Sequence, residues 1–326
     1  MFFPTLKRQI RLTTAFCVIA VTAIAAQMTP TLALAKPAMA SVGSGSLHQN
    51  AKTQFVEVDG AKIAYRRFGK HSGVPLVFFQ HFLGNMDNWD PMITDGFAKD
   101  REVILFDNAG VAASGGQVPH TVEGMAKYGI DLMEAIHIKQ ADILGFSLGS
   151  LVAQEVALER PDLVRKIILI GSAPRGGDGM ASLTPEFQAM LTKKYDPADT
   201  ILLTTFFNPT AGSQAAGRKF LDRIRLRQID RDANPGPDVY GAQVAAFAAW
   251  GAHSANANDY LKNIKQPVLI ISGSKDLIHY TSNSYKLEDN LPNAELIVYP
   301  DTNHGSFYQY PDLFLQEATT FLDQPF

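Results

Sequence analysis

The 326-residue chain contains one cysteine, Cys17, and two tryptophans. A lone thiol cannot close a disulfide within the chain. Because it lies near the N-terminus, the rest of the chain has no thiol nucleophile and no thiolate metal site. Charged residues are also scarce, at 19%, and the formal net charge is −3. That composition excludes a disordered polyelectrolyte and gives no electrostatic reason to expect a nucleic-acid partner. No acidic residue precedes Glu57. No internal repeat, phosphate-loop pattern or His-Asp-Glu metal spacing occurs, so no cofactor or metal is expected. The basic run Arg218 to Arg231 includes acids and reads as a solvated helix face.

What is present begins with a distinctive N-terminus. Lys7, Arg8 and Arg11 precede an apolar stretch, Leu12 to Ala26, shorter than the ~20 residues of a spanning helix. Two small-x-small sites follow, Ala33-Leu34-Ala35 and Ala38-Met39-Ala40. This order predicts a secretory signal over residues 1–40, cleaved before Ser41 or Lys36. The expectation is a secreted or periplasmic protein with no stable membrane anchor after cleavage. Residues 41–53, rich in serine and glycine at their start, read as a flexible lead-in.

With 46% hydrophobic residues the remainder can bury a large core. Phe55–Val58 and Lys62–Arg66 flank Asp59-Gly60, a hairpin signal. Continuous apolar runs at Val74–Gln80, Val103–Phe106, Ala141–Phe146, Lys166–Ile170, Val268–Ser272 and Leu296–Tyr299 suit strands buried on both faces. Helix-length segments separate them: Met86–Ala98, Val122–Ile136, Leu148–Glu159, Thr281–Asn290 and Pro311–Leu322. This alternation predicts an α/β fold with a mostly parallel, doubly wound sheet. Between Gly171 and Lys265 no strand pattern occurs. Residues 172–264 are therefore expected to be a helical cap inserted into a core made of 54–171 and 265–326.

Gly145-Phe146-Ser147-Leu148-Gly149 carries the strongest chemical signal. It joins a buried strand to a helix, and small residues on either side allow the sharp turn that exposes a nucleophilic serine. The helix starting at Leu148 aims its positive end at a developing negative charge. A general base should follow near the carboxyl terminus, in the loop after the last strand, where His304 stands. The orienting acid should follow the preceding strand, which places it at Asp276; Asp301, in the histidine's own loop, is the rival. The chain order is then Ser147, Asp276, His304. An oxyanion hole needs two converging backbone N–H groups. One is expected from Leu148 and the other from His81-Phe82-Leu83-Gly84-Asn85. His81 itself reads as a loop brace.

From Phe55 to Leu322 the chain resembles the α/β-hydrolase superfamily, in particular its haloperoxidase- and arylesterase-like members. In those proteins a His-Gly-x tripeptide follows the third strand, and x supplies an oxyanion N–H. Laid on this chain, x is Leu83, with Phe82 at the glycine position and as the alternative donor. Asp107, Gly110 and Ser114 resemble the family's Asp-x-x-Gly-x-Gly-x-Ser turn, with Ala112 in place of the second glycine. The resemblance implies that Asp107 is structural. The expected activity is hydrolysis of a neutral small-molecule carboxylic ester through an acyl-enzyme. Perhydrolysis (recorded in the family as haloperoxidase activity), lactone or carbon–carbon hydrolysis, and a non-catalytic ligand-binding role remain open. Phe82, Phe146, Phe206, Phe207 and Trp250, with Phe247, are the candidate pocket residues; each could equally pack the cap onto the core. Lys275 is the one cation near the triad loops.

Overall fold

The computed structural model describes residues 46–325. The expected signal segment, its cleavage sites and the start of the lead-in lie outside the described residues. Eight strands form one sheet: β1 (Gln54–Val58), β2 (Ala61–Gly69), β3 (Leu76–Phe79), β4 (Glu102–Phe106), β5 (Ala141–Phe146), β6 (Val164–Ile170), β7 (Val268–Gly273) and β8 (Ala294–Tyr299). Their spatial order is β1-β2-β4-β3-β5-β6-β7-β8. β1 and β2 are antiparallel, β2 runs antiparallel to β4, and all later pairings are parallel. The β1–β2 hairpin turns at Asp59 and Gly60, both at positive φ, as a tight two-residue loop requires.

The helices are α1 (Leu47–Asn50), α2 (Pro91–Ala98), α3 (Val122–Ala135), α4 (Leu148–Glu159), α5 (Pro185–Leu191), α6 (Ile201–Phe206), α7 (Ala211–Ile224), α8 (Pro237–Trp250), α9 (Thr281–Asn290), α10 (Ser306–Gln309) and α11 (Pro311–Asp323). α3 and α4 pack together on the sheet, and α4 buries nearly every residue from Leu148 to Ala157. Among the described residues no helix is long and apolar enough to cross a membrane.

Three differences from the sequence reading have clear causes. Met86–Ala98 is not one helix: a short turn covers Met86–Asn88, and α2 starts only at Pro91. Asp90 accepts the Met92 N–H and caps that start, and proline is well tolerated at a first helical position. β8 is half-exposed rather than buried on both faces, because it is an edge strand. The lead-in is docked where it is described: the Ser46 hydroxyl and the His48 N–H bond to Asp95, and the buried His48 ring meets Thr94.

The segment between β6 and β7 contains α5 to α8 and no strand. In the run Arg218 to Arg231, Arg218, Lys219 and Arg231 are exposed, whereas Arg223, Arg225 and Arg227 are turned to partners. Arg223 forms a two-pronged pair with the buried Asp90, and Arg225 does the same with Asp199. Buried Arg227 donates to the carbonyls of His48, Gln49 and Ala51. Arg66 on β2, wholly buried, bonds both Asp87 and Asp232. These pairs satisfy one another's buried charges, which unpaired would be strongly destabilising.

Candidate active site

Ser147 stands at the tip of β5, where the chain reverses into α4, with φ 55° and ψ −123°. A non-glycine residue in that region stores roughly 1–3 kcal/mol of strain. The turn closes only because its flanks are glycine. A Cβ on Gly145 would sit 2.3 Å from the Gly149 carbonyl oxygen, and one on Gly149 2.0 Å from that of Phe79. The Ser147 N–H donates to the Ile170 carbonyl at 2.9 Å, tying the turn to β6.

His304 follows β8 and is 1% exposed. Its Nδ1 lies 2.8 Å from Oδ2 of Asp276, which follows β7. A carboxylate only accepts, so Nδ1 carries the proton and Nε2 presents a lone pair. Nε2 is buried with no hydrogen-bond partner among the described residues, and His304 lines the same cavity as Ser147. Oδ1 of Asp276 accepts the N–H groups of Ile278 and His279 at 2.8 and 3.0 Å. Burial alone would push the Asp276 carboxyl up. The interaction with the His304 ring and the hydrogen bond from the Ile278 N–H outweigh it and hold the carboxyl below its ordinary value. Asp301 points elsewhere, accepting from Asn208 and Thr210 of the 172–264 segment. Lys275 is exposed and lies 3.9 Å from Asp301. Asp107 braces the turn after β4 by accepting from Met86 and Ala113.

The loop after β3 departs from the first choice of oxyanion donor. Leu83, at φ 55°, donates its N–H to Oε1 of Gln243 on α8 at 2.7 Å. That donor is occupied. The N–H groups of Phe82 and Leu148 have no protein acceptor among the described residues, so the alternative donor, Phe82, is the one left free.

The cavity over Ser147 has a volume of about 280 Å³. Phe82 and Phe206 line it, as do Leu83, Phe187, Leu191, Ile201, Leu202 and Ile278, which sequence reading had not assigned to the pocket. Asn88, Asp199, Thr205 and Asn234 supply polar groups, and no lysine or arginine lines it. Three expected pocket residues lie elsewhere. Phe146 packs beneath the site against His304, Phe206 and Phe307. Phe207 packs on Phe220, and Trp250 sits under Arg175 with its Nε1 on the Ala173 carbonyl. Phe247 borders a smaller neighbouring space beside His279.

Two further histidines surround the site. His279 is buried, holds the Gly171 carbonyl with Nδ1 at 2.7 Å, and meets the His304 ring edge-on at 5.1 Å. Burial, then the neighbouring His304, pushes its pKa down to about 3. Its position three residues after Asp276 was the only sequence signal for it. His81 lies on the cavity wall. Among the described residues no cluster of three or more His, Cys, Asp or Glu could hold a metal.

The sequence family described as alpha/beta hydrolase fold matches residues 74–311. A solved α/β-hydrolase fold protein from Chitinophaga pinensis is 39% identical, with a TM-score of 0.79, over 85% of this chain and 99% of that one. A non-heme chloroperoxidase of Streptomyces lividans is 26% identical over 81% of this chain and 97% of its own length. A pimeloyl-[acyl-carrier protein] methyl ester esterase of Nitrosospira multiformis is 32% identical over 55% of this chain and 67% of its own.

Proposed function

The chain belongs to the α/β-hydrolase fold family, and from that premise we propose that it is a serine hydrolase cleaving a carboxylic ester of a neutral small molecule. The observation that carries the reading is the arrangement of three groups. Ser147 on its strained turn and His304 line one cavity, and Asp276 holds Nδ1 of the His304 ring. In this reading Nε2 takes the Ser147 proton as Oγ bonds to the acyl carbon. The N–H groups of Phe82 and Leu148 receive the oxyanion. The C–O bond to the alcohol then breaks, and His304 returns its proton to the departing oxygen. Water, activated by the same nitrogen, releases the acid and restores Ser147. Asp276 keeps the imidazole in the right tautomer and stabilises its charged form.

The cavity's apolar walls and lack of lysine or arginine support a neutral substrate, since a buried carboxylate there would have no cationic partner. The esterase relative supports ester cleavage. The chloroperoxidase relative supports a second reading, in which peroxide replaces water at the same acyl-enzyme. The test is Ser147→Ala, with fluorophosphonate labelling and hydrolysis of aryl acetates and butyrates with and without peroxide. Labelling and turnover should both vanish, with turnover falling on the order of 10⁴-fold or more. Retention of a tenth of the activity would remove Ser147 from the mechanism. Export belongs to the same proposal. Protein recovered from its native host should begin at Ser41 or Lys36, and an intact Met1 on protein in the cytoplasm would refute it.

A further inference from the structure

His81 is a second imidazole on the cavity wall that the proposed hydrolysis does not use. Its ring Nδ1 lies 2.8 Å from the Phe82 carbonyl oxygen. A carbonyl only accepts, so Nδ1 bears the hydrogen and Nε2 is left as an acceptor. That Nε2 is buried and has no hydrogen-bond partner among the described residues. The ring cannot readily swing out to find one. It is wedged edge-on between Phe146 at 5.4 Å and Phe206 at 5.2 Å, and the His81 backbone N–H, donating to the Gln80 side chain at 2.8 Å, fixes the chain beneath it. Ser147 and His304 line the same cavity. Two imidazoles with unpaired Nε2 atoms therefore line one cavity, and the proposed hydrolysis uses one of them.

We propose that His81 Nε2 is a specificity-determining acceptor, receiving a hydrogen bond from a hydroxyl or amide N–H carried by the substrate. The substrate class is then a neutral ester whose otherwise apolar acyl part bears one hydrogen-bond donor. A purely apolar acyl group leaves Nε2 buried and unpaired, whereas one with a donor satisfies it. Discrimination of this kind is stronger than any that packing alone provides. Burial, against the raising effect of the Phe82 carbonyl, pushes the His81 pKa down to about 4, with His304 adding to the depression. The ring is accordingly a neutral acceptor at neutral pH. The inference rests on the hydrolase reading for the place of the acyl group, but not for the chemistry of Nε2.

The experiment compares kcat/KM for matched aryl esters of butyric acid, β-hydroxybutyric acid and N-acetylglycine in wild type, His81→Phe and His81→Gln. The readout is the ratio of each donor-bearing ester to the plain butyrate, which is insensitive to a general loss of active protein. Wild type should favour at least one donor-bearing ester by tenfold or more. His81→Phe, which keeps an aromatic ring between Phe146 and Phe206, should bring that ratio close to one. His81→Gln, which restores an acceptor, should recover part of it. The preferred ester tells hydroxyl from amide N–H. A ratio unchanged between wild type and His81→Phe, or a wild-type preference for plain butyrate, overturns the proposal. A parallel binding test keeps it separable from hydrolysis. In Ser147→Ala labelled with ¹⁵N-histidine, the His81 Nε2 resonance should move with a donor-bearing ester and stay still with the butyrate. Movement without turnover in the wild type would reject the hydrolase reading and keep the acceptor. No movement with either donor-bearing ester would reject the acceptor.

Discussion

Asp276 and Asp301 are both aspartates near His304 in sequence, yet their surroundings separate them completely. Asp276 is buried, accepts two backbone N–H groups and meets His304 at 2.8 Å. Asp301 is half-exposed and accepts hydrogen bonds from Asn208 and Thr210. Asp276→Asn leaves the volume unchanged but offers the imidazole an amide in place of a carboxylate, which disturbs the tautomer. Ester turnover should fall on the order of 10⁴-fold, the scale of such a change in serine proteases. Asp301→Asn should stay within a few-fold of wild type. Steady-state kinetics of the two purified variants checks the ranking, and the reverse order would move the orienting acid onto the histidine's loop. At this scale the motif was legible because a sharp turn of known chemistry needs particular residues at fixed offsets. The role of His81 was not legible. A histidine in a loop shows its tautomer and its free nitrogen only once its neighbours are in place.

α8 illustrates what an element contributes beyond its own stability. Its Gln243, wholly buried, caps the Leu83 N–H from 160 residues away in sequence. Leu83 sits at positive φ, a conformation costly for a leucine and held by its surroundings. Gln243 thereby fixes the turn that presents the Phe82 N–H. Gln243→Leu should lower kcat about tenfold while changing KM little, because the free energy lost belongs to the oxyanion rather than to ground-state binding. Gln243→Glu, which keeps an acceptor, should recover part of the loss. Equal losses in kcat and binding would assign α8 a packing role alone. The sequence placed this stretch only within a largely helical segment; neither the bounds of α8 nor the inward aim of one amide was readable from it.

At the scale of the molecule, the described lead-in, the sheet and the 172–264 segment meet around one buried set of charges. Arg66, Asp87, Asp232 and Arg227 join these parts, and His48 lies among them. Burial first, then the arginines Arg66, Arg227 and Arg231, lowers the His48 pKa to about 3, with Asp87 opposing. A histidine depressed in the folded state stays neutral there while the unfolded chain takes up a proton below about 6.5. The unfolded state then binds more protons, so stability falls as the pH drops from about 6.5 toward 3. His48→Gln removes this dependence. Its cost relative to wild type should shrink by about 2 kcal/mol between pH 7 and pH 5, as urea denaturation at the two pH values would show. An identical cost at both would mean that His48 takes up its proton in the fold as readily as in the unfolded chain.

Local sequence patterns were enough to locate the strands, five of the helices (α2, α3, α4, α9 and α11), the serine turn and the order of the chemical groups along the chain. These follow from local rules: apolar runs, turn glycines, and the steric demands of a strand passing directly into a helix. The sequence by itself misjudged the continuity of Met86–Ala98, the exposure of β8, the solvation of Arg223, Arg225 and Arg227 and the place of Phe146, Phe207 and Trp250. It named Phe82 only as the second choice of oxyanion donor. Those questions belong to the tertiary structure, because burial, pairing and the lining of a cavity are set by residues brought together from distant parts of the chain. A phenylalanine carries the same local signal whether it faces a substrate or a core. Likewise, a backbone N–H is free or occupied according to a side chain that no local pattern connects to it.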